Sequence, residues 1–214
     1  MIASALHLSR ADVKALKITD AYSLHRVVYD LFDDIRSMEE KQKSIPSGIL
    51  YADKGGDFHG RKILILSNRQ PNIPEHGELS IKKIADSFLD YEHYRFEVIM
   101  NPTKREKLER NEKGKKVSGK IIALRKREEI ATWFIEKAPQ WGFEVSPEHL
   151  EVRDIQVKRF EKGKETITQG QAKLIGRLTV VDKEKFKTSF QNGIGRGRAF
   201  GCGLLQIVPY EVSK

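Results

Sequence analysis

His25 has the most informative setting of the six histidines in the chain. Tyr22 precedes it by three residues, so in a helix both side chains project from one face, which Arg26 and Tyr29 border. An imidazole titrates near neutral pH and can accept or donate a proton, and a nearby phenol can orient it or share the proton transfer. A histidine on a helix is more often structural, so a packing role is the alternative.

A second unusual segment runs from Gly193 to Gly203 and contains five glycines and two arginines. Glycine lets the backbone approach another surface closely and adopt positive φ, while Arg196 and Arg198 have the reach to contact phosphates or a carboxylate. The spacing matches neither a dinucleotide-binding loop nor a P-loop, and the segment follows a predicted helix rather than opening one. The alternative is a tight connection that packs the last strand against a neighbouring domain.

Metal catalysis is not favoured by the residue spacing. The histidines form no His-x₃-His pair and no His-Glu-x-x-His motif, and the single cysteine, Cys202, cannot build a zinc cluster. The carboxylates are scattered. We therefore expect neither a bound metal nor a cofactor, although magnesium held mainly by a substrate would leave no motif.

The positive charge lies in the second half of the chain. Residues 1–100 contain 14 Lys and Arg against 15 Asp and Glu, whereas residues 101–214 contain 25 against 15. Lys104 to Arg127 is the densest stretch, with eleven basic residues and three glutamates. Such a field attracts a polyanion, for which nucleic acid is the first candidate. A solvated charged face is the alternative, and an acidic protein or membrane surface would also fit.

A basic hairpin is predicted around Gly163, where the chain carries Lys158, Arg159, Lys162 and Lys164. A protruding basic ribbon fits a nucleic-acid groove, although lysine on a surface hairpin also serves solubility. The aromatic signature of sheets that stack RNA bases is absent. If RNA binds, we expect a structured element held through its phosphates.

Composition points to a soluble cytoplasmic protein. No apolar run approaches the roughly 20 residues that span a bilayer, and the first residues lack a signal-peptide pattern. One cysteine fits a reducing compartment. We expect no membrane partner.

The hydrophobic pattern predicts two β-α-β-β-α-β units. In the first we expect a strand at Ile2–Leu8, a helix at Ala21–Asp33 capped by Asp20 or Thr19, strands near Ile49–Ala52 and Arg61–Ser67, and a loop at Arg69–Gly77. In the second we expect a strand at Arg95–Met100, a helix at Glu128–Trp141, extended segments at His149–Phe160 and Thr166–Val181, a helix capped by Asp182, and a last strand at Gly203–Pro209. The expected fold is α+β, two tandem ferredoxin-like (RRM-like, βαββαβ) domains at 1–92 and 93–214.

Three segments resemble the CasE family of CRISPR repeat-RNA processing endoribonucleases. Tyr22-Ser-Leu-His25 and the residues up to Phe32 are similar to the family's catalytic helix, and Arg95–Pro102 resembles the strand that opens its second domain. Gly193–Leu205, ending Gly-Cys-Gly-Leu-Leu, is the closest match. Residues 38–89 match weakly.

The resemblance implies cleavage of a CRISPR repeat stem-loop at its 3′ base without a metal, followed by retention of the guide RNA within the Cascade complex beside other subunits. It makes His25 the catalytic histidine and Tyr22 its partner. The expected RNA-binding residues are Arg26, Lys104, Arg105, Lys113, Lys115, Lys116, Lys158, Arg159, Lys162, Lys164, Arg196 and Arg198.

Internal RNA cleavage is compatible with these residues, because the 2′-OH can attack the adjacent phosphate and needs only an acid, a base and cations. The products would be a 2′,3′-cyclic phosphate and a 5′-OH. Which of His25 and Tyr22 acts as acid or base is left open. A non-catalytic structured-RNA-binding module of the same fold is the alternative function, and a DNA-binding protein is a third.

Overall fold

The computed structural model describes residues 1–37, 39–40, 45–106, 119–163 and 165–211. Four of the expected RNA-binding residues, Lys113, Lys115, Lys116 and Lys164, lie outside the described residues, and so does the side chain of Lys162. Within the described residues no helix is both long and apolar enough to cross a membrane.

The first unit is built on a four-stranded antiparallel sheet of order β2-β3-β1-β4. Its elements are β1 (Ile2–Leu8), α1 (Arg10–Ala15), α2 (Ala21–Tyr29), β2 (Ile49–Asp57), β3 (Gly60–Ser67) and β4 (Glu78–Lys83). The predicted strands and the loop at 69–77 are confirmed.

Helix α2 begins where the sequence predicts and ends earlier. The Asp20 side chain accepts a hydrogen bond from the Ser23 backbone N–H, and Ser23 Oγ reaches back to the Asp20 backbone N–H, which forms a capping box. The predicted end at Asp33 is wrong. After Tyr29 the chain forms 3₁₀-type turns, in which the Leu31 and Phe32 N–H groups donate to the carbonyls three residues earlier.

The first unit lacks the second helix that the βαββαβ order requires. Residues 68–77, which join β3 to β4, form a loop. Pro71 and Pro74 account for it, because each lacks a backbone N–H and disfavours helical geometry in the residue before it. The sequence prediction of a complete βαββαβ first half is therefore wrong in this detail, although the strand order is ferredoxin-like.

The second unit has the complete order and a second antiparallel sheet, β10-β5-β9-β8. Its elements are β5 (His93–Met100), β6 (Thr103–Arg105), β7 (Ile121–Ala123), α3 (Arg127–Lys137), β8 (Phe143–Lys162), β9 (Glu165–Val180), α4 (Lys183–Asn192) and β10 (Gln206–Pro209). Strands β6 and β7 form a separate two-stranded sheet. The predicted α+β fold of two tandem ferredoxin-like domains is confirmed.

The two sheets meet through apolar side chains. One face of the first sheet packs against α2, as the buried side chains of Leu6, Ile63 and Val28 show. Its other face contributes to the core of the second unit, through Leu50, Ala52 and Leu66. The strands of the first sheet end at Lys83 and those of the second begin at His93, so we propose the domain boundary between residues 92 and 93 that the sequence predicts.

The β8–β9 hairpin is the longest element of the second unit. Strand β8 begins at Phe143, six residues before the predicted start, and the turn is at Gly163 with φ 64°. Pairing is interrupted twice, between Val145 and Leu150 and between Arg153 and Gln156. These irregularities bend the long ribbon, and β8 also packs against α2 of the first unit.

Candidate active site

His25 lies on α2 and contacts the glycine-rich segment of the second unit. Its ring nitrogen Nδ1 is 2.7 Å from the main-chain oxygen of Ala199, 174 residues away along the chain. A carbonyl oxygen only accepts hydrogen bonds, so Nδ1 carries the proton and donates it. In this tautomer of the neutral ring the lone pair is on Nε2. A general base that accepts a proton at Nε2 requires this tautomer.

The same carbonyl accepts a second hydrogen bond. Tyr51 Oη, from strand β2, donates to the Ala199 oxygen over 3.2 Å. Tyr51 is 1% exposed, and burial raises its pKa well above the ordinary tyrosine value, so the phenol remains a donor. Two donors from the first unit therefore hold one carbonyl of the second.

Aromatic rings surround His25. The Tyr29 ring centroid is 4.1 Å from that of His25, and the Phe200 centroid is 5.6 Å away. Tyr22 is nearly parallel to His25, with an interplanar angle of 16° and a centroid distance of 6.1 Å. The predicted pair is thus on one face of α2, and packing restricts the imidazole to one orientation.

The glycines explain how Ala199 presents its carbonyl. Ala199 lies in a 3₁₀ turn, Arg198–Phe200, flanked by Gly197 with φ 81° and Gly201 with φ 79°. A Cβ at Gly201 would lie 3.1 Å from the Tyr51 ring, and one at Gly203 would lie 2.2 Å from the Ile194 carbonyl oxygen. Positive φ and close approach together require glycine here. The sequence interpretation of this segment as a close-packing connection fits these contacts.

Cys202 anchors the segment through its side chain. Its thiol is fully buried and accepts hydrogen bonds from Gln169 Nε2 at 2.9 Å and Gln171 Nε2 at 3.6 Å. Burial raises the pKa of the thiol to about 12, against the lowering effects of Gln169 and of the Lys158 charge. Cys202 is therefore a structural acceptor rather than a nucleophile.

Lys158 and Arg159 face opposite sides of β8. Lys158 is half-buried and lies on the strand face of Phe160, whose ring centroid is 4.8 Å from that of Phe200. Arg159 is exposed. Side chains alternate along a strand, so Lys158 points toward the aromatic cluster at His25 and Arg159 points away from it.

The arginines near His25 are of two kinds. Arg26 is exposed, and its Cζ lies 5.8 Å from the Tyr22 ring centroid. Arg198 is exposed, but its Nη1 donates to the Asn192 carbonyl over 2.9 Å, which ties it to the end of α4. Arg196 is exposed and lines a cleft of about 750 Å³ that also includes Tyr29, Arg198, Ala199 and Phe200.

Lys104 and Arg105 lie in a different place. Both are on β6, and Arg105 Nη1 donates to the Gly119 carbonyl over 3.3 Å. They line a cleft with Trp133 and Trp141 rather than the cleft at Tyr29 and Ala199. The structure therefore does not bring these two cations to His25.

Sequence reasoning missed Ala199, Tyr51, Phe160 and Phe200. Strand alternation places Tyr51 on the face of Ile49, but no local pattern in the sequence indicates that it meets a carbonyl 148 residues away. Among the described residues there is no group of three or more His, Cys, Asp or Glu side chains that could hold a metal ion.

Known proteins share both the sequence pattern and the fold. The family model described as CRISPR associated protein matches residues 1–209. The CRISPR-associated endoribonuclease Cse3 of Thermus thermophilus is 33% identical over 125 residues, which span 54% of this chain and 55% of that protein. The match thus covers little more than half of this curated relative.

Solved structures resemble the whole chain. Cse3 bound to 19 nt RNA has a TM-score of 0.75 at 19% identity, covering 98% of this chain and 100% of that one. A chain of a CRISPR RNA-guided surveillance complex in its pre-nicking state has a TM-score of 0.69 at 18% identity, with coverages of 98% and 100%. At these identities the likeness establishes the fold.

The two sheets and their shared core define the class of the molecule, a tandem ferredoxin-like α+β protein. Within that class, the chain belongs to the CRISPR-associated protein family whose model it matches over residues 1–209. The resemblance to the CasE family seen in the sequence is confirmed.

Proposed function

We propose that this protein is an endoribonuclease that recognises the CRISPR repeat stem-loop and cleaves at its 3′ base without a metal. The observation that carries the proposal is the hydrogen bond from His25 Nδ1 to the Ala199 carbonyl. It holds a titratable side chain in one tautomer and one orientation, beside a cleft with exposed arginines. The curated relative Cse3 is named an endoribonuclease, which supports the same activity here.

The tautomer of His25 assigns this residue the role of general base in the proposed reaction. His25 Nε2 removes the proton from the 2′-OH of the scissile nucleotide, and the resulting oxyanion attacks the adjacent phosphorus. The bond from phosphorus to the 5′-oxygen breaks, and that oxygen takes up a proton. The products are a 2′,3′-cyclic phosphate and a 5′-OH. Tyr22, on the same helix face as His25, supplies or positions the proton for the leaving oxygen.

A cation must stabilise the extra negative charge at phosphorus in the transition state. Lys158 is the described cation that best fits this role, because it lies two residues before Phe160 and on the same strand face. Arg26, beside Tyr22, is the second candidate. Arg159, Arg196 and Arg198 then contact the backbone of the stem and its flanks.

Retention of the product belongs to the same proposal. A chain of a CRISPR RNA-guided surveillance complex shares this fold, and the net charge of +9 favours a lasting hold on RNA. We infer that the protein keeps the mature guide RNA and joins other Cascade subunits through it. An enzyme that acts once on each RNA depends on positioning more than on fast turnover.

The deciding experiment incubates the protein with a repeat stem-loop RNA in excess EDTA. We expect cleavage in the chelator, loss of cleavage by at least about a hundredfold in His25→Ala, and unchanged affinity of that variant for RNA. A substrate with 2′-deoxy at the scissile nucleotide should remain intact. Cleavage of the deoxy substrate would exclude 2′-OH attack, and dependence on added Mg²⁺ would exclude the metal-free mechanism.

The alternative function is a stem-loop-binding module in which His25 only packs. Intact RNA under every condition, together with tight binding, would establish it. The matched control is His59→Ala, because His59 lies at the exposed tip of the β2–β3 hairpin. An equal loss of cleavage in His25→Ala and His59→Ala would contradict a catalytic role for His25.

A further inference from the structure

A second cleft is lined in part by the glycine-rich segment, at Gly195 and Arg196. It measures about 390 Å³ and is lined by Trp133 from α3, Trp141 from the 3₁₀ turn that follows, and the β6–β7 sheet. Its volume is within the range of small-ligand sites. Neither tryptophan takes part in the reaction proposed at His25.

The two tryptophans form one corner of this cleft. Their ring centroids are 6.3 Å apart and their planes meet at 69°. Both side chains are half-buried, so part of each indole is open to solvent. Exposed indole faces at a cleft are stacking surfaces for nucleobases, and such stacking tolerates any base sequence.

The rest of the lining is basic. Lys104, Lys137 and Arg196 line the cleft together with Arg105, and no acidic residue is among the described residues that line it. Lys104 and Arg196 are exposed. Aromatic faces beside several cations are complementary to a single nucleic-acid strand, whose bases stack while its phosphates meet the cations. A protein segment would need acidic groups to match the same surface.

The cleft adjoins the one at the candidate active site. Gly195 and Arg196 line both this cleft and the cleft that contains Tyr29, Ala199 and Phe200. A strand leaving the scissile phosphate at His25 can therefore follow the glycine-rich segment past Arg196 and reach the tryptophans. Stacking on an indole requires a base whose face is open, so the occupant is unpaired RNA.

We propose that the Trp133–Trp141 cleft binds single-stranded RNA that flanks the base of the stem, with a nucleobase stacked on an indole and phosphates at Lys104, Lys137 and Arg196. The proposal rests on the proposed function for the identity of the stem. It adds a binding site that holds the unpaired flank, on either its 5′ or its 3′ side. The site makes guide-RNA retention depend on unpaired RNA outside the stem-loop.

Intrinsic tryptophan fluorescence is a direct probe of this site, because Trp133 and Trp141 are the two tryptophans of the sequence. The experiment titrates the protein with stem-loop RNAs that carry 2′-deoxy at the scissile nucleotide and monitors tryptophan fluorescence. One RNA is blunt, one has a short 5′ oligouridine extension and one has the same extension at the 3′ end. Free oligouridine is the fourth probe.

We expect one extended RNA to quench the fluorescence well beyond the blunt RNA and to bind more tightly, and the extension that does so identifies the flank. Trp133→Leu should weaken binding of that RNA about tenfold, the worth of one stacked base. Lys137→Gln should weaken it about threefold and lower its salt dependence. Lys14→Gln, an exposed lysine on α1, is the charge-matched control and should change nothing.

Circular dichroism and the unfolding midpoint establish that Trp133→Leu is folded, and Lys137→Gln tests the site without altering the core. Equal quenching by blunt and extended RNAs, with equal affinities, would overturn the proposal and leave the cleft to a protein partner. Quenching by free oligouridine with no binding of the blunt stem-loop would support this site while contradicting the proposed function.

Discussion

The imidazole of His25 and the main-chain carbonyl of Ala199 are joined by a 2.7 Å hydrogen bond between the two ferredoxin-like units. The first unit supplies the imidazole, and the second supplies the acceptor that determines which ring nitrogen carries the proton. The glycine-rich segment thus contacts His25 through its backbone. Its two arginines, Arg196 and Arg198, are proposed to contact the RNA.

Removing the second donor to that carbonyl tests this arrangement. Tyr51→Phe keeps the ring but loses the Oη hydrogen bond to Ala199. We expect single-turnover cleavage to slow by about threefold to tenfold, the net worth of one hydrogen bond, at unchanged RNA affinity. Tyr91→Phe, at a tyrosine that is 47% exposed, is the control. A full-rate Tyr51→Phe enzyme would show that the Ala199 carbonyl needs no support from β2.

Close packing distinguishes the glycines of the glycine-rich segment from a glycine in an exposed turn. Gly203 and Gly163 both have positive φ, but a Cβ at Gly203 would lie 2.2 Å from a backbone oxygen, whereas one at Gly163 meets nothing within 4 Å. Both alanine variants should lose about 1 kcal/mol to left-handed strain, and Gly203→Ala should lose about 2 kcal/mol more from overpacking. Urea unfolding measures both, and equal losses would refute close packing at Gly203.

The ion pair between Asp53 and Arg61 gives a pH-dependent stability. Burial opposes ionisation of Asp53, but the hydrogen bonds and charge of Arg61 outweigh it and hold the carboxyl pKa below its usual 3.8. Because the folded-state pKa is the lower one, the stabilisation is complete above the unfolded-state pKa and is lost as the pH falls through the folded-state value.

Asp53→Asn should therefore lower the free energy of unfolding by about 2 kcal/mol at neutral pH. Its deficit should shrink as the pH drops below about 4, where the wild-type carboxyl is protonated as well. Thermal melts across this range measure the difference, with the exposed Asp33→Asn as control. A deficit that stays constant down to the most acidic melt would contradict the assigned ion pair.

Lys158 and Arg159 should separate binding from catalysis, because they face opposite sides of β8. Arg159→Gln should weaken stem-loop binding and reduce the slope of log affinity against log salt by about 0.8, without slowing cleavage of bound RNA. Lys158→Gln should also slow the single-turnover step by about tenfold or more. If both variants cleave bound RNA at the wild-type rate, the transition-state cation lies elsewhere.

Cys202 should be inert in the native protein. It is fully buried, and burial raises its pKa to about 12, so little thiolate forms near neutral pH. A disulfide reagent such as Ellman's should react at the rate of unfolding and within seconds in denaturant. Rapid labelling of the folded protein would mean that the segment around Cys202 opens to solvent.

Local chemistry made much of the fold predictable. Asp20 and Asp182 were predicted as the N-cap residues of two helices, and the side chain of each accepts the expected N-cap hydrogen bond. The Tyr22–His25 spacing fixes a shared helix face, because it depends only on the helical repeat. The loop between β3 and β4 was predictable as well, since Pro71 and Pro74 interrupt that segment. The prediction of a complete βαββαβ first unit was wrong because it gave these prolines too little weight.

The rest of the site depends on contacts that sequence spacing does not encode. Ala199 acts through its backbone carbonyl, so its side chain gives no signal. In the sequence, Tyr51 has the pattern of an ordinary buried strand residue. Its contact with Ala199 is evident only from the packing of the two units. The basic residues of the hairpin and of the Lys104 stretch were both predicted to bind RNA. The fold places Lys158 on the strand face of the aromatic cluster at His25 and Lys104 in a separate cleft, because they lie on strands of different sheets.

The 174-residue separation of His25 and Ala199 also has a consequence for translation. The histidine leaves the ribosome long before its acceptor is synthesised, so a nascent chain carries the imidazole without the carbonyl that orients it. In the proposed mechanism, the ability to cut RNA therefore arises late in synthesis. A polypeptide that ends before the glycine-rich segment would have no oriented base with which to carry out the proposed cleavage.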